Sequence, residues 1–187
     1  MNEQGTRERL IAAAAAVVHA EGYSGTTLAR VAKVAEVPLG NLYYWFRTKD
    51  ALAEAVIDTR VEELEALLDD AGCAARPQDR LVALLVRFAE TCAEMTRLGC
   101  PYGTLAQELE KRDDRLARRA ERIFAVQRKW MTRQFRAMGA SRPDALALEL
   151  LAGMQGAALV AHALRDSRIL KSRLDALVLW VRSLSFS

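Results

Sequence analysis

The sequence predicts an all-α protein, with a compact three-helix head of about fifty residues followed by a helical bundle, about nine helices in all. Three observations predict it. Ala, Leu, Arg and Glu dominate the 187 residues, and these are strong helix formers. Apolar residues recur at helical spacing along most of the chain. Only four prolines interrupt it, at 38, 77, 101 and 143, while β-branched and aromatic clusters of strand type are scarce.

The first helix spans about residues 6–21, with Leu10, Ala14, Val17 and Val18 on one face. Gly22 stops it, and Gly22–Gly25 makes a short turn. Thr27 stands where an N-cap belongs, before a helix over about Leu28–Ala35. A tight turn at Glu36-Val37 leads to a third helix, Pro38–Trp45, with Pro38 at its first position. Thr48 caps a fourth helix over about Lys49–Asp70, with Leu52, Val56, Leu64 and Leu67 on one side. Residues 72–76 link to Pro77. The next helix, about 78–97, carries Leu81, Leu84, Leu85, Phe88, Cys92 and Met95 on one face, and Gly99-Cys100-Pro101 ends it. A helix over about Tyr102–Lys111 follows. Asp113 or Asp114 then caps a helix to about residue 138. Gly139–Arg142 is a turn. Pro143 opens a helix to about Arg165, and the last helix covers about 168–184. The expected division is a head of residues 1–48 and a bundle of residues 49–187.

Several classes are disfavoured. The N-terminus is polar and is not a signal peptide. No run of about 18 uncharged apolar residues exists for a membrane span. A cytoplasmic protein with no membrane partner is expected. Three cysteines form an odd count without a CxxC, and His19 and His162 are far apart. Neither a disulfide framework nor a metal site is expected. No cofactor is implied, and neither a glycine-rich phosphate loop nor GxSxG is present. Cys100 and His162 would lack a third orienting residue, so an enzyme is not expected.

Residues 27–46 hold two short helices meeting through a tight turn. Leu28, Val31, Ala32, Val37, Leu42 and Phe46 are apolar, and Ala32 is small where the helices approach. This is a helix-turn-helix, whose second helix enters the major groove of DNA. Asn41 is short enough to read adenine with two hydrogen bonds, and Leu39 suits a thymine methyl. Gly40 lets the backbone come close. Tyr43, Tyr44 and Thr27 offer donors to phosphates. Arg30, Lys33, Pro38 and Trp45 complete the candidate surface. Arg30, Lys33 and Arg47 are equally readable as solvated charges, and Trp45 as packing beside the fourth helix.

The stretch TTLARVAKVAEVPLGNLYYWFRTKDAL, Thr26 to Leu52, resembles the tetracycline-repressor family of transcriptional regulators. Leu42-Tyr43, Trp45-Phe46 and Lys49-Asp50 match that family's pattern in residue and register. The likeness covers about residues 6–55, and beyond it only layout and length are similar. The resemblance implies Tyr43 and Lys49 as phosphate contacts. It also implies a homodimer on palindromic operator DNA, and a small-molecule inducer held in the C-terminal bundle. Two positions depart from the family pattern: Glu36 occupies a turn position often held by Gly, and Pro38 replaces a common Ser or Thr cap.

For dimerisation the last two helices are the candidates. Leu146, Leu150, Met154, Leu159, Leu174, Leu177, Val178 and Val181 supply more apolar surface than one buried face needs, and Gly153, Gly156, Ala157, Ala158 and Ala161 permit close approach. The candidate ligand lining combines Phe88, Met95, Cys100, Tyr102, Thr104, Gln107, Gln127, Trp130, Met154, Gln155 and His162. Cys100 is the sharpest of these. It precedes the positive end of the following helix, where thiolate is favoured, and some family members sense oxidants or electrophiles through a cysteine in a similar place. A buried small hydrophobe is the plainer reading.

Residues 111–136 carry ten Lys or Arg against three Asp or Glu, whereas residues 1–50 carry six against five. The basic stripe reads as a solvated helix face, or as a partner for Glu62, Glu63 and Glu65 or for Glu108 and Glu110, rather than as the DNA surface. Activation instead of repression, and a helical protein-binding adaptor, are the rival functions.

Overall fold

The computed structural model describes residues 3–112 and 114–186, with the side chains described from residue 5 onward. Among the described residues there are ten helical segments and no strand: α1 (Glu3–Gly25), α2 (Leu28–Val34), α3 (Leu39–Trp45), α4 (Lys49–Gly72), α5 (Pro77–Glu90), α6 (Cys92–Leu98), α7 (Pro101–Glu110), α8 (Arg115–Ala137), α9 (Pro143–Leu164) and α10 (Ser167–Ser183). The segment beyond the expected nine arises at Thr91. Its backbone leaves the helical region, and its hydroxyl donates to Phe88 O at 2.9 Å, so the 78–97 stretch divides into α5 and α6. Asp114 caps α8, accepting from the Leu116 and Ala117 amides at 2.8 and 3.2 Å. Its alternative, Asp113, lies outside the described residues.

The chain forms two compact units, which cut across the expected boundary at 48/49. The first joins the residues up to Glu62 with Pro101–Ile123, and the second joins Glu63–Cys100 with the chain from Phe124 on. In the first unit α1 packs on α2 and α7, and α2 packs on α3. Leu10, Ala14, Val31, Leu42, Leu52, Ile57, Leu109 and Ile123 are buried there. α1 runs past its expected end but is broken at Gly22, at φ 75°. Glycine is favoured at this position on two counts. The left-handed backbone disfavours a side chain, and a Cβ would stand 2.9 Å from Glu108 Oε1.

Charged groups fix the turn that follows. The Ser24 amide donates to Glu108 Oε2 at 3.2 Å, and Arg112 Nη2 donates to Asp50 Oδ2 at 2.7 Å. The Tyr23 hydroxyl donates to Asp50. Burial first, and then that bond, push its pKa up to about 12. The basic stripe of α8 turns out to be partly spent on α4. Arg115 Nη2 reaches Glu54 at 2.7 Å, Arg119 Nε reaches Asp58 at 3.1 Å and Arg122 Nη1 reaches Asp58 at 3.2 Å. These acids lie one to two turns before the Glu62–Glu65 set, because helix register selects which carboxylates face the arginines.

In the second unit α9 packs on α10 and α6, and α10 also packs on α5. Leu81, Leu85, Met95, Phe135, Leu150, Met154, Leu170, Leu174 and Val181 make the core. Gln78 closes the end of α10, donating to Val181 O at 2.9 Å and Arg182 O at 3.2 Å. By length and composition alone α9 is apolar enough to cross a membrane. Its packing between α6 and α10 gives much of that apolar surface a use.

The α2–α3 turn is strained as its sequence foretells. Glu36 sits at φ 53°, and the Val37 amide donates back to Ala32 O at 3.0 Å. A left-handed conformation costs a residue with a side chain about 1–2 kcal/mol. Glu36→Gly is therefore expected to raise unfolding stability by up to about 1 kcal/mol once glycine's extra unfolded-state freedom is deducted. Urea unfolding monitored by circular dichroism checks this, and an unchanged or lower midpoint would show that the Glu36 side chain contributes more than its backbone costs.

Candidate nucleic-acid interface

The outward surface of the head is built by local chemistry. Thr27 caps α2, accepting the Arg30 amide at 3.1 Å. Val31 and Ala32 face inward, so Arg30 and Lys33 face water. α3 begins at Leu39, one residue later than expected. Pro38 is its N-cap, and the Pro38 carbonyl accepts from Asn41 N at 2.9 Å and Leu42 N at 3.2 Å. Leu42 and Phe46 are buried, and this orients the rest of the helix. Leu39, Gly40, Asn41, Tyr43 and Tyr44 all point outward, with Tyr44 72% exposed. Trp45 is half-buried and meets Tyr44 edge-to-face at 5.1 Å. The Asn41 carboxamide and both tyrosine hydroxyls have no hydrogen-bond partner among the described residues, so their polar atoms are available.

Two expected phosphate donors are differently employed. Lys49 Nζ donates to Tyr23 O at 2.8 Å and Thr26 O at 3.0 Å, and lies 4.3 Å from the centre of the Tyr23 ring. Its ammonium closes the end of α1, where a cation meets the carbonyl-rich terminus of a helix. Arg30 forks onto Glu21, with Nε and Nη2 at 2.9 and 2.7 Å. Sequence reasoning missed Arg9, whose Nη2 donates to Ala35 O at 2.6 Å and braces the α2–α3 turn from α1. The spacing of 26 residues between them leaves no local signal.

The candidate ligand residues fall in both units. Tyr102, Thr104 and Gln107 belong to the first, and Phe88, Met95, Cys100, Gln127, Trp130, Met154, Gln155 and His162 to the second. Phe88, Met95, Cys100, Gln127, Trp130 and Met154 are buried, while Gln107 is exposed. Gln155 buries its amide nitrogen without a partner among the described residues.

Most of the candidate dimer residues are covered within the single chain. Leu150, Ala157, Leu174, Leu177 and Val181 are buried within the protomer, and Leu146, Gly153 and Val178 are half-buried. Gly153 lies under Leu177 of α10, where a Cβ would come within 3.3 Å of it. The apolar residues left outward on the same helices are Leu148, Leu159, Val160 and Leu164 of α9 and Leu179 of α10. Helical periodicity had identified two apolar faces without saying which one the protomer fills.

Comparison with known proteins agrees with this arrangement. Residues 10–56 match the family described as bacterial regulatory proteins, tetR family. Residues 77–174 match the C-terminal domain of LmrA/YxaF-like transcriptional regulators. An uncharacterized HTH-type transcriptional regulator from the lacX 3′ region of Lactococcus lactis is 25% identical over 94% of this chain and 93% of its own length. The HTH-type transcriptional repressor NemR of Escherichia coli is 30% identical over 57% of this chain and 55% of its own. NemR's crystal structure, in its reduced form, matches with TM-score 0.81 at 22% identity over 94% of this chain and 96% of that one. The structure of a TetR regulator from Chloroflexus aurantiacus matches with TM-score 0.84 at 25% identity, over 97% of this chain and 96% of that one. With both halves matched and the helix-turn-helix in place, the chain belongs to the TetR family of DNA-binding transcriptional regulators, and it is not an enzyme.

Proposed function

We propose that this regulator is a repressor: a homodimer that holds a palindromic operator and is released when a small molecule binds its bundle. Residues 1–48 serve DNA in this reading, and residues 49–187 serve ligand and partner. The observation that carries it is the outward face of α3. Leu42 and Phe46 anchor the helix, and Asn41, Tyr43 and Tyr44 present unspent polar atoms. Asn41 and Leu39 read base edges, while Tyr43, Tyr44, Thr27 and Lys33 meet phosphates. Lys49 acts by holding the α1 end that positions them. A single head covers few base pairs, so a pair of heads on two half-sites supplies specificity. The outward row of α9 with Leu179 of α10 supports pairing through a four-helix interface.

The first test is a mobility shift on the DNA upstream of the regulator's own gene, in moderate salt. Asn41→Ala is expected to lose about 1–3 kcal/mol at one operator position, roughly five- to 150-fold in affinity. Tyr43→Ala should weaken all sequences alike. Failure to bind any DNA in a genome-wide selection would replace the repressor with a protein-binding adaptor. Leu159→Glu, at a residue 55% exposed in the protomer, should convert the dimer to a monomer by light scattering while leaving the helical spectrum intact. A Leu159→Glu variant that stays dimeric would move the interface off α9.

A second reading, that the signal is an oxidant or electrophile at Cys100, is favoured by the position of this residue directly before α7 and by the likeness to NemR. Cys100 is 5% exposed, so attack on its thiol waits on local opening. Diamide or N-ethylmaleimide should release wild-type protein from DNA and leave Cys100→Ser bound, with a Cys73→Ser, Cys92→Ser double variant responding like wild type. A Cys100→Ser variant released as readily as wild type rules this reading out and leaves the reversible ligand.

A further inference from the structure

α6 and the end of α9 enclose an open cleft of about 620 Å³, lined by Ala93, Thr96, Arg97, His162, Ala163 and Arg165. That volume falls in the range of small-molecule sites. The lining contains two guanidiniums and an imidazole, and no carboxylate. Many arginines of this protein are engaged with acids, including Arg30, Arg76, Arg87, Arg112, Arg115, Arg119, Arg122 and Arg168. The guanidiniums of Arg97 and Arg165 have no ion pair or hydrogen bond among the described residues, and both residues border this one hollow. Arg97 stands in the last turn of α6, where a cation is favourable with or without a ligand. Arg165 also stands at a helix C-terminus, as the C-cap of α9 in a left-handed conformation at φ 53°, so what sets the two apart is that they border one hollow without a carboxylate.

His162 is oriented at the cleft by α6. Its Nδ1 lies 3.1 Å from the Thr96 carbonyl oxygen. A carbonyl only accepts, so Nδ1 carries the proton there, and Nε2 of the neutral ring is left as an acceptor for a ligand hydroxyl or amide. Two turns earlier on the same edge of α9, Gln155 buries an amide nitrogen with no acceptor among the described residues. A buried donor without an acceptor costs about 1–3 kcal/mol. The cleft thus offers two guanidiniums without carboxylate partners, and the same edge of α9 adds the unpartnered Gln155 amide. The complement is a small organic anion, since guanidiniums grip carboxylate and phosphate through paired charge-assisted bonds.

We propose that this cleft is where the inducer binds, and that the inducer is a small organic anion whose carboxylate or phosphate is held between Arg97 and Arg165. The proposal rests on the reading of the chain as a ligand-released repressor, and it adds the ligand's charge and the residues that grip it.

The test is calorimetric titration of the full-length protein, without DNA, using benzoate and phenyl phosphate against the neutral benzamide. The anions are expected to bind at least ten-fold more tightly than benzamide, and the stronger of the two identifies the head group as carboxylate or phosphate. Arg97→Gln and Arg165→Gln should each weaken that anion at least ten-fold, with unchanged melting temperature and unchanged operator binding in its absence. Equal binding of benzamide and both anions, or anion binding indifferent to both substitutions, would overturn the proposal. Because operator binding is read separately, loss of the repressor reading would show as failure of unliganded protein to shift DNA, an outcome in which Arg97 and Arg165 have no part.

Discussion

The head depends on how one turn is held. Between Gly22 and Thr27 the chain leaves α1 and must present α2 and α3 at a fixed angle. The carbonyls at this end of α1 have lost their helical partners. Lys49 supplies the missing donors, reaching Tyr23 O and Thr26 O from the start of α4. Asp50, the next residue, receives Tyr23 and Arg112. The turn, the recognition helix beyond it and the first residues of α4 therefore share one set of charges. The Tyr23 hydroxyl keeps its proton into strongly alkaline conditions because burial and Asp50 both oppose the phenolate. α7 joins the same set through Glu108, which stands where a side chain at residue 22 would go, and Arg112 joins it from the turn after α7.

Much of the fold was legible because its signals are local. Thr27, Thr48 and Asp114 each cap the helix beginning just after them, and each needs only residues within three positions. Pro77 and Pro143 open helices as their fixed φ predicts. The break at Thr91 was not legible, since neither Pro nor Gly marks it. The partners of the α8 arginines were also hidden: a charged stripe states its own face, while the register of the facing helix decides that Glu54 and Asp58 meet it.

The surface of the candidate interface was read better than its supports. Asn41, Tyr43 and Tyr44 stand outward because Leu42 and Phe46 point inward, which period alone determines. Lys49 reads as a free cation in sequence but is consumed by carbonyls brought near only by folding. Arg9 acts across 26 residues and gives no local sign. On α9 and α10 the pattern contains more apolar positions than one face holds. Sequence alone did not assign Leu150 and Leu174 to the inside or Leu159 and Leu179 to the outside.

That outward row carries a thermodynamic consequence. Leu159, Leu164 and Leu179 are each more than half exposed on the single chain, and burying such side chains contributes about 1.5–3 kcal/mol apiece when it is complete. Pairing through this face would place part of the fold's stability outside the chain that encodes it. The melting temperature would then climb with protein concentration, as mass action requires of a dimer whose protomers complete each other. A cell holding only a few copies would keep a less stable regulator than a tube holding micromolar protein, and the scarce chains would be the first reached by proteases.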